Sequence, residues 1–142
     1  MKLGIRARDL PTRVSTGAYI LHAGLGKWDL DEKRAEGVHA AASGAFPMLK
    51  RIPPLRFTRL LALGEIATGA ALLAPLVPAA LAGGALTVFS GTLLAMYLRT
   101  PAMHQPGSVW PTPAGTAVSK DVWMLGVGLG LLVEAATEAR AD

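Results

Sequence analysis
Residues 66–98, IATGAALLAPLVPAALAGGALTVFSGTLLAMYL, carry no charged side chain. The run is too long for one membrane crossing, which takes about 20 residues, and Pro75 and Pro78 interrupt it near its middle. Proline lacks a backbone N–H and its ring collides with the preceding turn, so a helix stops there. The run therefore reads as the end of one helix over 57–74, a tight turn, and a second helix over 79–98.

Working outward, two weaker apolar stretches flank this hairpin, Val14 to Gly26 and Val122 to Val133. Each is short between charges, but Arg13 and Lys27 bracket the first and Lys120 and Glu134 the second. Long basic side chains reach back to the headgroup level, so both extend to useful spans, about 12–28 and 118–136. The start of the chain, with Lys2, Arg6 and Arg8 ahead of an apolar stretch, imitates a signal peptide. No small-x-small site precedes Lys27, and the stretch reads as a retained first helix. The expected fold is all-α, an integral membrane four-helix bundle occupying the whole chain as one domain.

Composition agrees with that solvent. Hydrophobic residues make up 51% and charged residues 17%, to the apolar side of an ordinary soluble domain. Glycines recur inside the apolar segments, at Gly17, Gly24, Gly26, Gly64, Gly69, Gly83, Gly84, Gly126, Gly128 and Gly130. In water so many would weaken helices; in lipid they let helix backbones approach closely. The polar stretch 29–56 contains an Ala-rich segment, Ala35 to Ala42, that reads as a short helix, followed by an apolar patch from Phe46 to Leu49. The proline-rich connection 100–119 reads as an irregular loop.

The net charge of +4 sits beside apolar segments and forms no basic face interleaved with aromatics, so membrane lipid and not nucleic acid is the expected partner. With no cysteine, disulfides, thiol relays and zinc-thiolate sites are excluded. His22, His39 and His104 are too scattered to suggest a metal site. No nucleophile elbow, phosphate loop or zincin pattern occurs, so an enzyme acting alone is not indicated.

Four crossings place both termini on one side, A, and the long connections on the other, B. Side B then collects Trp28, Phe57, Tyr97, Trp110 and Trp123 and most of the Lys and Arg residues, which by the positive-inside rule faces B to the cytoplasm; the basic amino terminus argues the opposite way. His22 lies five residues before Lys27 and Glu65 six after Arg59, so at about 1.5 Å per residue both sit one to two turns below side B. His22, Lys27, Arg59, Glu65, Lys120 and Asp121 are thus expected to ring one polar pocket. Glu65 is the only acid between Glu36 and Asp121, and in lipid it must face a partner or water. The alternative for Glu65 and His22 is a structural bond that locks the helices. At side A, Arg13 and Glu134 are expected to pair.

The first span, RVSTGAYILHAGLGKW, resembles the opening of the DoxX family in Arg13, Gly17, Gly24 and Lys27. The second, RLLALGEIATGAALLAPL, is similar to that family's glutamate-bearing helix at Gly64, Glu65 and Gly69, and SKDVWMLGVGLGLL resembles its fourth helix. The carboxy-terminal EAATEARAD and the long proline-rich connection depart from the family pattern. The resemblance implies a bacterial inner-membrane protein associated with membrane-bound oxidoreductase systems, some of them quinone-linked. Three functional readings follow. One is an accessory or scaffolding subunit with a protein partner in the membrane. The second is a subunit binding a quinone, the one cofactor the reading admits, or a small lipid. The third is a small-solute or proton transporter, which would need a homo-oligomer because four short helices make a poor conduit and no inverted repeat is visible.

Overall fold
A computed structural model describes residues 6–141. Lys2, one of the basic residues at the start of the chain, lies outside them. Among the described residues there is no strand, only an isolated bridge between His104 and Pro111. The helices are α1 (Leu10–Trp28), α2 (Glu32–Ala45), α3 (Pro54–Leu73), α4 (Ala79–Arg99), a single turn α5 (Thr116–Ser119) and α6 (Asp121–Glu138).

Their limits follow from local chemistry. Pro11 opens α1 and Pro54 opens α3, positions where a missing N–H costs nothing. Asp31 caps α2, its carboxylate accepting the Arg34 N–H at 2.8 Å, as short polar side chains do at helix starts. α3 ends at Ala74, extended ahead of Pro75, and α4 ends at Thr100, extended ahead of Pro101, because a residue before proline avoids helical geometry.

α1 packs along α3 and α4 along α6, with α3 joining the two pairs and α2 lying across α3 and α4 at the B end. The buried positions of α1 are Arg13, Gly17, Ile20 and Gly24, with Lys27 next in the series. On α3 the series is Thr58, Ala62, Glu65, Gly69 and Leu72, with Thr68 beside it. Both alternate steps of four and three residues, the spacing of a seam between two helices that run side by side. A Cβ on Gly17 would stand 2.9 Å from that of Leu72, and one on Gly69 would meet the Leu21 amide at 2.7 Å. The same device joins the other pair, where a Cβ on Gly83 would lie 2.7 Å from Leu131 Cβ and one on Gly128 would lie 2.6 Å from Thr87 Oγ1. By contrast Gly26, Gly64, Gly84, Gly126 and Gly130 face open space, so only part of the glycine pattern serves helix contact. Ile20, Leu72, Ala82, Leu86 and Leu131, one or two from each long helix, meet in a small central core.

Among the described residues two helical runs are long and apolar enough to cross a membrane, Ala79–Arg99 and Thr116–Glu138. This differs from the expectation, which ranked the segment over 57–74 with the strongest. α3 has the length, but Arg56, Arg59 and Glu65 lower its mean hydropathy, while α5 continues into α6 and lengthens a span that looked short between charges. The connection after α4 is more ordered than an irregular loop: Tyr97 donates its hydroxyl to the Val109 carbonyl at 2.7 Å, and a Cβ on Gly115 would collide with the Met103 carbonyl. The Ala-rich segment forms the expected helix, longer than the alanines alone. The Phe46 patch becomes a 3-10 turn, Pro47–Arg51.

Candidate functional site
At the B end the seam brings three ionisable groups together. The absence of a side chain at Gly24 lets α3 approach until a Cβ there would lie 2.9 Å from Glu65 Cβ. One turn on, Lys27 donates its Nζ to Glu65 Oε1 at 3.0 Å and reaches the Ala23 carbonyl at 3.5 Å. Glu65 is 5% exposed, and its Oε2 has no hydrogen-bond partner among the described residues. Asp121, the first residue of α6, is half-buried and within electrostatic reach of both Glu65 and Lys27. Lys27 thus pairs with Glu65 while Asp121 lies near enough to influence both, and a buried carboxylate oxygen is left to accept a further proton or hydrogen-bond donor.

Of the six residues expected to ring this pocket, Lys27, Glu65 and Asp121 are brought together. His22, Arg59 and Lys120 are exposed and take no part. All three stand at a suitable level along the helices but at the wrong azimuth. Each helical residue turns the side chain by about 100°. His22 is therefore well off the line through Gly24 and Lys27, and Arg59 is well off that of Glu65. Lys120 precedes Asp121 by one residue and points elsewhere.

The A end differs from the expectation in its pairing. Arg13, with no exposed surface, donates from Nε to the Leu72 carbonyl at 2.8 Å and from its terminal nitrogen to the carbonyls of Ala71, Ala74 and Val77 at 2.9, 3.2 and 3.1 Å. The last carbonyls of a helix have no partner within it and carry its negative end. One guanidinium therefore satisfies the end of α3 and holds the turn to α4. Glu134 takes Arg8 as its cation, and Glu138 takes Arg6 and also Arg8, the last at 2.9 Å. Asp9 is buried and lies near both Arg13 and Glu134. Sequence reasoning missed both Asp9 and the capping role of Arg13; the step of four from Arg13 to Gly17, on the same seam, is the signal that points the arginine inward.

An open groove of about 660 Å³ runs between Arg8, Asp9 and Thr12 on one side and the α6 face from Val122 to Glu134 on the other. Its ionisable walls are the groups already engaged with one another. Among the described residues no three His, Asp or Glu side chains gather as a metal site.

No family model, curated protein or solved structure matches the chain. Large apolar side chains stand on the outer surface of the long helices: Tyr19, Leu81, Val88, Trp123 and Val133 all point outward.

Proposed function
We propose that the chain is a multi-pass integral membrane protein, a DoxX-like four-helix bundle, that serves as an accessory or scaffolding subunit of a membrane-bound redox or biosynthetic system. α1, α3, α4 and α6 would cross the bilayer, with α2, the Pro47–Arg51 turn and the connection after α4 forming a cap on side B. One observation carries the reading: large apolar side chains of the long helices stand outward while Arg13 of α1 and Glu65 of α3 are buried. Water-soluble proteins distribute these groups the opposite way, whereas hydrocarbon forces charged side chains to face the interior and pair. The interior charges are spent on the fold, Arg13 on the end of α3 and Lys27 on Glu65, which suits a subunit whose work is done on its surface. The DoxX-like assignment rests on the residues that carry the resemblance, of which Arg13, Gly17, Gly24, Lys27, Glu65 and Gly69 lie on the α1–α3 seam.

Mild extraction tests it. The expected result is a protein that needs detergent or amphiphile to remain monodisperse and that co-purifies with a second membrane component. Recovery of the isolated chain from plain buffer, or a deletion strain with unaltered activity in its membrane oxidoreductases, counts against it.

The unpartnered Glu65 Oε2 favours a second reading, in which the Lys27–Glu65–Asp121 cluster receives a quinone headgroup. Lys27 would donate to a carbonyl of the quinone and Glu65 would accept a hydroxyl proton of the reduced quinol, as a desolvated carboxylate beside a cation can do. Quinone exchange in nanodiscs discriminates: no binding to the wild type, or equal binding to Glu65→Gln, removes this reading.

A further inference from the structure
The basic residues of the two ends are in different states. Among the described residues of the A end, Arg6 and Arg8 are held by Glu134 and Glu138, and Arg13 lies buried among carbonyls, leaving Arg140 exposed. At the B end Lys50, Arg51, Arg56 and Arg59 are all exposed, and none has an ion-pair partner among the described residues. No acid occurs between Glu36 and Glu65 to offer one. The fold adds a cation that the sequence places far away: the Arg99 guanidinium, at the end of α4, stands 4.9 Å over the ring of Phe46, which opens the turn carrying Lys50 and Arg51.

The α3 surface below these cations is equally specific. Arg56, Arg59, Leu60 and Leu63 follow one another at helical spacing and are all exposed, so one stripe of α3 is cationic at its B end and apolar beneath. Met48, 71% exposed, projects from the adjoining turn.

We propose that Arg56 and Arg59, assisted by Lys50, Arg51 and Arg99, bind the headgroup phosphate of an anionic phospholipid whose acyl chain lies along Leu60 and Leu63. The inference rests on the membrane-spanning reading and extends it to a lipid preference on one leaflet. A free anion would use the cations alone and an acidic protein would not need the apolar stripe below them; an anionic lipid uses both. Clustered basic residues beside a span attract anionic lipid by roughly fivefold per residue.

The test offers the detergent-purified chain an equal mixture of phosphatidylglycerol and phosphatidylcholine and weighs the retained lipid by native mass spectrometry. The wild type is expected to retain phosphatidylglycerol selectively. Arg56→Gln/Arg59→Gln should lower that selectivity by roughly 25-fold. Lys50→Gln/Arg51→Gln, which alters only the turn outside the long helices, should lower it partially even if the first variant folds poorly. Arg140→Gln, at the opposite end, should leave it unchanged. Equal retention of both lipids by the wild type overturns the proposal while leaving the membrane reading intact, as does a loss in Arg140→Gln as large as in the α3 variant. Abolition of selectivity by inorganic phosphate alone overturns it in favour of a free-anion site. A chain that stays monodisperse in buffer and retains neither lipid removes the membrane reading and this inference with it.

Discussion

Gly24 and Glu65 face each other so closely that the Cβ glycine lacks would fall 2.9 Å from the Cβ of the glutamate. The contact explains why a charged residue is tolerated on the α1–α3 seam: the helices close over Glu65 from one side while Lys27, one turn away, neutralises it at 3.0 Å. Gly24→Ala is expected to force the helices apart and destabilise the protein by about 1–3 kcal/mol, the usual cost of overpacking. Gly26→Ala, at a position with open space around it, should be neutral. Thermal unfolding of both variants in the same detergent makes the comparison.

Glu65→Gln keeps the side chain's size but leaves the Lys27 ammonium half-buried without its counter-charge. Breaking one partner of such a pair costs about 3–5 kcal/mol, whereas replacing both with apolar groups can be nearly neutral. Lys27→Met/Glu65→Leu should therefore recover most of the stability lost in Glu65→Gln. A double variant no more stable than the single would show that the ion pair is not the source of the loss.

Arg13→Lys retains the charge but not the fork that reaches several carbonyls at once. Losing charge-assisted hydrogen bonds to the end of α3 should cost about 1.5–3 kcal/mol, concentrated in the turn from Ala74 to Val77. Hydrogen exchange should quicken at the backbone amides of Ala74 and Val77, which bond to Ala70 and Ala74, and change little in α6. Uniform protection loss across the molecule would contradict a local capping role.

The second helix pair makes an independent test of the small-residue contacts. Gly128→Val would drive its side chain against Thr87, whose Oγ1 is 2.6 Å from the Cβ site, and should destabilise by about 1–3 kcal/mol or more. Gly130→Val, two residues away on the open face, should change stability little. Equal melting temperatures would refute this α4–α6 packing.

Much of the helical layout was legible because it depends on properties read along the chain. The charge-free run and its two prolines mark the α3–α4 hairpin, and the alanines from Ala35 to Ala42 mark α2. What spacing along the chain conveyed poorly was direction around each helix. His22 and Arg59 stand at a suitable level for the Glu65 cluster and still face outward, whereas Arg13, Gly17, Gly24 and Lys27 share one line because their steps alternate four and three. The ten glycines looked alike for a similar reason, and only some of them have a neighbouring helix against them.

By itself the sequence determined the placement of the four long helices and of α2, the stop between α3 and α4, and that few charged residues lie within its long apolar segments, since these follow from composition and from backbone chemistry acting over a few residues. Only the tertiary structure decided which charges meet. Arg13 turned from Glu134 to the carbonyls ending α3, Glu134 took Arg8, Lys27 found Glu65, and Arg99 came to rest over Phe46. The physical reason is range: helix propensity acts between near neighbours, while a buried charge is satisfied by whatever polar group the packing of distant segments brings within about 3 Å.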